Sequence, residues 1–348
     1  MSPPQPSESR TAWTEPSPQD LGGGIYRIPL PLPNDGLRAV NIYALQTSDG
    51  LVMIDGGWAL SASADRLRKS LAELDFSLTD ISRFLVTHVH RDHYTQAIAV
   101  RREVGAPVAL GLGERVNLDR IQQWLDSGRP TDDYAHLHRA GADDLRQLIQ
   151  SHQGQHQPDP ADWELPDEWL ADTDEVRAGN RTLRVIATPG HTRGHVVFYD
   201  AQAGLLFAGD HVLPHITPSI GFEPARPAFP LRDYLDSLRL LHTMPDARLL
   251  PAHGPVASSV HERVTELLDH HEQRLADSAE VVKVGAGTAL EAARALGWTR
   301  RQLPFTDLDV LNQMLAVAET AAHLDVLVLQ GRLSSSTDPD GVEIYQHP

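Results

Sequence analysis

Within the six residues His88-Val89-His90-Arg91-Asp92-His93 stand four side chains able to ligate a metal, directly behind the apolar run Arg83-Phe84-Leu85-Val86. His88 and His90 are two positions apart, so in extended backbone both imidazoles project to the same side. Asp92 and His93 follow at once, in the turn before the next helix. Three further candidates each come just after a predicted strand: His191 in Thr188-Pro189-Gly190-His191-Thr192, Asp210 in Gly209-Asp210, and His253 in Pro251-Ala252-His253-Gly254. Groups at the ends of successive strands can converge, whereas most of the 18 histidines lack such company and read as ordinary polar residues. Imidazole and carboxylate donors suit zinc, and also iron and manganese. The chain has no cysteine, which excludes disulfides, thiolate catalysis and thiolate-ligated metals. It also lacks a Gly-x-Ser-x-Gly nucleophile motif.

The elements that must position these groups alternate. Strand signals at residues 25–30, 40–45 and 51–54 end in the turn Asp55-Gly56-Gly57. Leu67, Leu71 and Leu74 recur at helical spacing, and strand 83–86 leads through the His cluster to a helix near 97–104 and a strand at 107–110. Residues 114–170 are polar and read as a partly helical insert over or beside the core, close to patternless from 151 to 160. Strands return at 182–186, 195–199 and 205–208. An amphipathic helix with Leu231, Tyr234, Leu235, Leu238 and Leu241 on one stripe precedes the strand 248–250. Beyond residue 260 come a linking helix, a short helix carrying Leu290, Ala293 and Leu296, and a longer one over 307–324. A small hairpin pairing 326–329 with 342–344 closes the chain. Strand–helix alternation followed by helices predicts an α/β protein with a flexible tail at 1–18, a main domain at 19–260 and a smaller, winged-helix-like domain at 261–348.

Of the 348 residues, 41% are hydrophobic, enough for a substantial core. The formal net charge of -17 opposes binding to phosphate backbones and anionic membranes. No signal-peptide pattern and no apolar run of membrane-spanning length occurs, so the expectation is a soluble cytoplasmic protein with a small-molecule substrate, able to self-associate.

The ordered set His-x-His-x-Asp-His, a lone His, an Asp and a final His resembles the signature of the metallo-β-lactamase-fold hydrolase superfamily over about residues 20–260. Residues 261–348 are more weakly similar to the winged-helix-like domain of one subgroup. The resemblance implies an αββα sandwich. It implies a first metal on His88, His90 and His191, a second on Asp92, His93 and His253, and Asp210 bridging them. Two divalent ions per chain, zinc or else iron or manganese, would bring a bridging water toward a neutral pKa and supply hydroxide. Asp92 would orient that nucleophile or pass its proton to the leaving group. Asp55 would support the site from behind the ligands, His195 belongs to the same pattern without being a ligand, and Gly190 and Gly194 would serve tight turns.

Superfamily chemistry fixes a reaction style and leaves the substrate open. Tyr94 stands where a small residue is usual, so it either lines the pocket or packs the helix start. Arg193 could meet an anionic substrate or form a surface ion pair. His215 and Phe222, in the segment after Asp210, are candidates for a cleft wall. The leading expectation is a thioester or related carboxylic ester, with lactones and phosphodiesters or RNA as alternatives. A reading of another class is a nucleic-acid-binding or regulatory module in the C-terminal domain. Against it, the helix over 307–324 carries Asp309, Glu319 and His323 and no Lys or Arg.

Overall fold

The computed structural model describes residues 12–33, 36–128, 134–152 and 159–348. Most of the expected N-terminal tail and of the patternless stretch after 151 lies outside these residues. Two sheets pack face to face. The first runs β1 (Gln19–Gly22), β2 (Ile25–Pro31), β3 (Ala39–Thr47), β4 (Gly50–Ile54), β5 (Ile81–Val86), β6 (Val108–Gly111) and β7 (Glu168–Leu170) in spatial order. Pairing is antiparallel as far as β4 and parallel beyond it. The helices α1 (Ser61–Glu73) and α2 (Arg91–Val104) make the crossovers on either side of β5, as parallel strands require. The second sheet comprises β8 (Glu175–Ala178), β9 (Arg181–Ala187), β10 (Val196–Asp200), β11 (Leu205–Gly209) and β12 (Arg248–Pro251) in the order β12-β11-β10-β9-β8. Only β11 and β12 are parallel there, joined through the amphipathic helix α6 (Pro230–Thr243).

Period-two alternation decides which side chains meet. Tyr43, Leu45, Ile54 and Leu85 from the first sheet close on Val185, Phe198, Phe207 and Leu250 from the second. Their neighbours along the strands point outward. Val40, Ile42 and Met53 pack on Leu67, Leu71 and Ile98 of α1 and α2. On the other outer face Ile186, Val197, Leu206 and Leu249 pack on Leu231, Tyr234 and Leu238 of α6. The result is the expected αββα sandwich.

The segment 114–170 is divided between the two outer layers. Leu118 and Ile121 of α3 (Arg115–Ser127) join the first sheet's outer core, and Glu168–Leu170 adds the edge strand β7, which the sequence pattern did not announce. Leu137 of α4 (Ala135–Arg139), Ala140 just after it and Leu145 of α5 (Asp143–His152) join the opposite core. After β12 follow α7 (Val260–Lys283), α8 (Ala289–Ala295), α9 (Val310–Leu329) and the hairpin β13 (Ser334–Thr337) and β14 (Glu343–Gln346). The expected hairpin strand at 326–329 is corrected here: those residues are the last turn of α9, and the hairpin lies further on. Val317, Leu324 and Leu327 belong to the same buried cluster as the outer face of the second sheet. Among the described residues, no helix is long and apolar enough to cross a membrane.

Candidate metal centre

Both sheets deliver their candidate groups at strand C-termini. Asp55 follows β4, His88 and His90 follow β5, His191 follows β9, Asp210 follows β11 and His253 follows β12. Because β10 runs antiparallel to both neighbours, β9 and β11 point the same way, and β12 with them. His90 caps α2, its carbonyl accepting from the amides of His93 and Tyr94, and this places Asp92 and His93 on the first helical turn.

The side chains form two donor groups, one of His88, His90, His191 and Asp210, the other of Asp92, His93 and His253. In the first, His88 Nε2 and His90 Nδ1 are 3.0 Å apart, and His191 Nε2 stands 3.2 Å and 3.0 Å from them. Asp210 Oδ2 is 3.5 Å from His191 Nε2. In the second, His93 Nε2 is 3.6 Å and His253 Nε2 3.4 Å from Asp92 Oδ2. Asp210 Oδ1 reaches the same pair at 3.6 Å and 3.3 Å, so one carboxylate faces both groups. Nitrogens held about 2.0–2.1 Å from a tetrahedral zinc ion would stand about 3.3–3.4 Å from one another. The three nitrogen–nitrogen separations, 3.0–3.2 Å, fall a little short of that value, and the nitrogen–oxygen separations, 3.3–3.6 Å, reach or pass it. His93 Nε2, His253 Nε2 and Asp210 Oδ1 are moreover buried with no hydrogen-bond partner, which is costly unless a cation serves them. The donor set therefore fits divalent metal.

What lies behind the ligands fixes their tautomers. His191 Nδ1 donates to the Ser219 carbonyl at 2.7 Å, His253 Nδ1 to that of Ala39 at 2.8 Å, and His90 Nε2 to that of Phe222 at 2.7 Å. His93 Nδ1 donates to Asp55 Oδ2 at 3.0 Å. His88 Nδ1 lies 3.1 Å from the Thr87 hydroxyl, which itself donates to Asp55. Each arrangement leaves the other ring nitrogen as a lone-pair donor to the centre. Asp55, at a φ of 62°, also accepts the Thr87 amide at 2.8 Å. His195 Nε2 accepts the Asp210 amide at 3.2 Å while its Nδ1 meets Thr188.

Electrostatics separate the two groups. Burial, then the neighbouring imidazoles, hold His88 well below the ordinary histidine range, and burial and His191 bring His90 down to about 3. Burial also lowers His191. Burial opposes charge on His93 too, yet Asp55, Asp92 and Asp210 push it up to about 10. Burial likewise disfavours the Asp92 carboxylate, but His93 and His253 hold its pKa below the usual range. Burial thus prevails at His88, His90 and His191, whereas at His93 the acids Asp55, Asp92 and Asp210 outweigh burial.

Of the four residues considered as substrate contacts, Tyr94 takes the second of its two readings. It is wholly buried, its hydroxyl donates to the Glu164 carbonyl at 2.5 Å and its ring lies 6.4 Å from that of Trp163, so it packs the first turn of α2. Phe222 stays 45% exposed, its ring 6.1 Å from that of His90. His215 is exposed, its carbonyl accepting from Arg300. Arg193 is half-buried beside the acids Glu114 and Glu223. Gly194 is needed for close approach, since a Cβ there would collide with the backbone of Gly113 and Glu114. Sequence reasoning missed Thr87, Ser219 and the carbonyl role of Phe222. Backbone carbonyls carry no residue signature, but a Thr between strand β5 and the first His was a signal.

The sequence from 35 to 253 matches the family model of the metallo-beta-lactamase superfamily. The chain belongs to that superfamily. Among curated metallo-beta-lactamase relatives, it is similar to the beta-lactamase-like protein 2 homolog of Caenorhabditis elegans, 31% identical over 159 residues, 46% of this chain and 45% of that one. The chain thus spans less than half the length of that relative. The probable metallo-hydrolase YqjP of Bacillus subtilis (strain 168) is 23% identical over 331 residues, 89% of this chain and 93% of its own. In three dimensions the chain is similar to a metallo-beta-lactamase family protein of Thermus thermophilus, with a TM-score of 0.72 and 28% identity over 94% of this chain and 100% of that one. A beta-lactamase domain protein of Burkholderia ambifaria gives 0.74 and 26% over 96% and 94%. Superfamily membership and the paired His/Asp groups make this chain a metal-dependent hydrolase.

Proposed function

We propose that the chain holds two divalent cations, zinc in the first instance, and hydrolyses a thioester or related carboxylic ester of a small molecule. The observation that carries this reading is Asp210, whose Oδ2 faces the group of His88, His90 and His191 while its Oδ1 faces that of His93 and His253. Bound there, divalent ions would supply Lewis acidity, acidifying water toward neutral pH and offsetting charge that develops on an attacked carbonyl oxygen. His195 anchors the Asp210 backbone, so the shared carboxylate keeps its angle to both groups. Asp92, partly exposed at the second group, orients a water. Held at so low a pKa, it accepts a hydrogen bond more readily than a proton.

Two features support an acyl substrate. Phe222 offers an exposed apolar ring beside His90, suited to an alkyl or aryl chain. Arg193, two residues past the ligand His191, lies among acids and is poorly placed to anchor a phosphate. Elemental analysis of the reconstituted protein, paired with hydrolysis of thioesters, lactones, β-lactams, phosphodiesters and short RNAs, tests the reading. Two metals per chain and thioester turnover that falls at least about 100-fold in His191→Ala are expected. Fewer than one tightly bound metal per chain overturns the two-cation reading, and turnover confined to RNA or phosphodiesters overturns the substrate class.

A further inference from the structure

Beside the first donor group lies a buried polar cluster that ligates nothing. Asn117, on α3, is wholly buried and uses its whole amide. Its Nδ2 donates to Glu114 Oε2 and to Glu223 Oε2, both at 2.6 Å, and its Oδ1 accepts the Ala225 amide at 2.9 Å. Glu114, also wholly buried, accepts from the Thr192 hydroxyl and from the backbone amide of Val89. Glu223 Oε2 accepts the Arg193 amide at 3.0 Å, while its Oε1 is buried without a partner.

The partners of these three residues are significant. Val89 lies between His88 and His90, and Thr192 and Arg193 follow His191. The segment from Ser219 to Ala225 supplies the carbonyls that hold His191 and His90. Three separate loops, which share no strand, therefore meet at one amide and two carboxyls. We propose that Asn117, with Glu114 and Glu223, is a positioning cluster that sets the ring orientations of His90 and His191 and so tunes metal affinity at the first donor group alone. The second group has its own support in the Ala39 carbonyl behind His253 and in Asp55 behind His93, on different elements, although Asp55 also reaches His88 through Thr87. A glutamine at 223 keeps a side-chain oxygen to accept from Asn117 Nδ2 and the Arg193 amide, as Glu223 Oε2 does.

The inference rests on the two-cation reading, and its test separates the two. Zinc-loaded wild type, Asn117→Ala, Glu223→Ala and Glu223→Gln are titrated with a chelator while retained zinc is counted. In Asn117→Ala and Glu223→Ala the affinity for one of the two ions should fall about 10- to 100-fold, the range typical of lost outer-shell partners, with the other ion unmoved. Glu223→Gln should hold zinc as wild type does. In a His93→Ala background, which leaves only the first group whole, Glu223→Ala should release the remaining zinc. Should Asn117→Ala fail to fold, Glu223→Ala, which keeps the Asn117 bonds to Glu114 and Ala225, carries the test. Both ions retained as in wild type, both weakened equally, or Glu223→Gln losing zinc like Glu223→Ala would overturn the cluster's role. A wild type that binds no zinc would instead overturn the reading beneath it.

Discussion

Asp55 occupies a left-handed backbone position, tolerable for Asp because of its short polar side chain, and from there accepts from the Thr87 amide and hydroxyl and from His93 Nδ1. Asp55→Ala should lower metal affinity about 10- to 100-fold at the second group through His93, and more weakly at the first through Thr87 and His88, counted by chelator titration. Glu223 gives a pH signature. Its folded pKa of about 8 lies above the ordinary carboxyl value, so across that interval the folded chain binds a proton the unfolded chain has lost. The stabilisation from that proton is complete below the ordinary value and is lost as pH rises through about 8. Urea unfolding of metal-free protein should show Glu223→Gln gaining on wild type from pH 5 to pH 8, by at most about 1.4 kcal/mol per pH unit. A constant difference would mean that Glu223 is ionised throughout. The ligands were legible in the sequence because four crowd behind one strand and the rest each follow another. Glu114, Asn117 and Glu223 were not. An acid and an amide in a polar helical stretch look solvated, and only the tertiary fold buries them.

Turns between elements carry their own tests. Gly105 ends α2 at a φ of 81° with open space where a Cβ would go, so Gly105→Ala costs only the left-handed conformation, about 1–2 kcal/mol. Gly190, at a φ of 138°, has the Tyr234 backbone where its Cβ would fall. Gly190→Ala must therefore push β9 and α6 apart and move His191, costing more than the Gly105 change and weakening metal binding, as urea midpoints and metal content will report. At this scale the sequence misled in one place. Val326 and Val328 sit in a short apolar run that reads as a strand, yet they close a helix whose buried residues lie on nearly every side. Periodicity cannot separate a fully buried helix from a buried strand over so few residues. β7 escaped notice for the opposite reason, being three residues long with only Leu170 buried.

At the scale of the whole molecule, one apolar core joins the residues on either side of 260. Residues beyond 260 share one apolar cluster with the outer face of the second sheet, so neither part has that core to itself. Arg226, next to the Ala225 that Asn117 holds, donates to the Ala318 carbonyl of α9 at 3.0 Å. The loop that fixes His90 and His191 is therefore pinned from the α3 side and from the C-terminal helix. Leu324 of α9 is wholly buried in the shared cluster, so Leu324→Ala should remove about 2–5 kcal/mol. Because the core is common, that loss should appear in one cooperative transition, with far-UV circular dichroism and metal release coincident along the urea axis. If metal stays bound after the dichroism change that Leu324→Ala brings forward, the C-terminal helices unfold on their own and the metal centre does not depend on them.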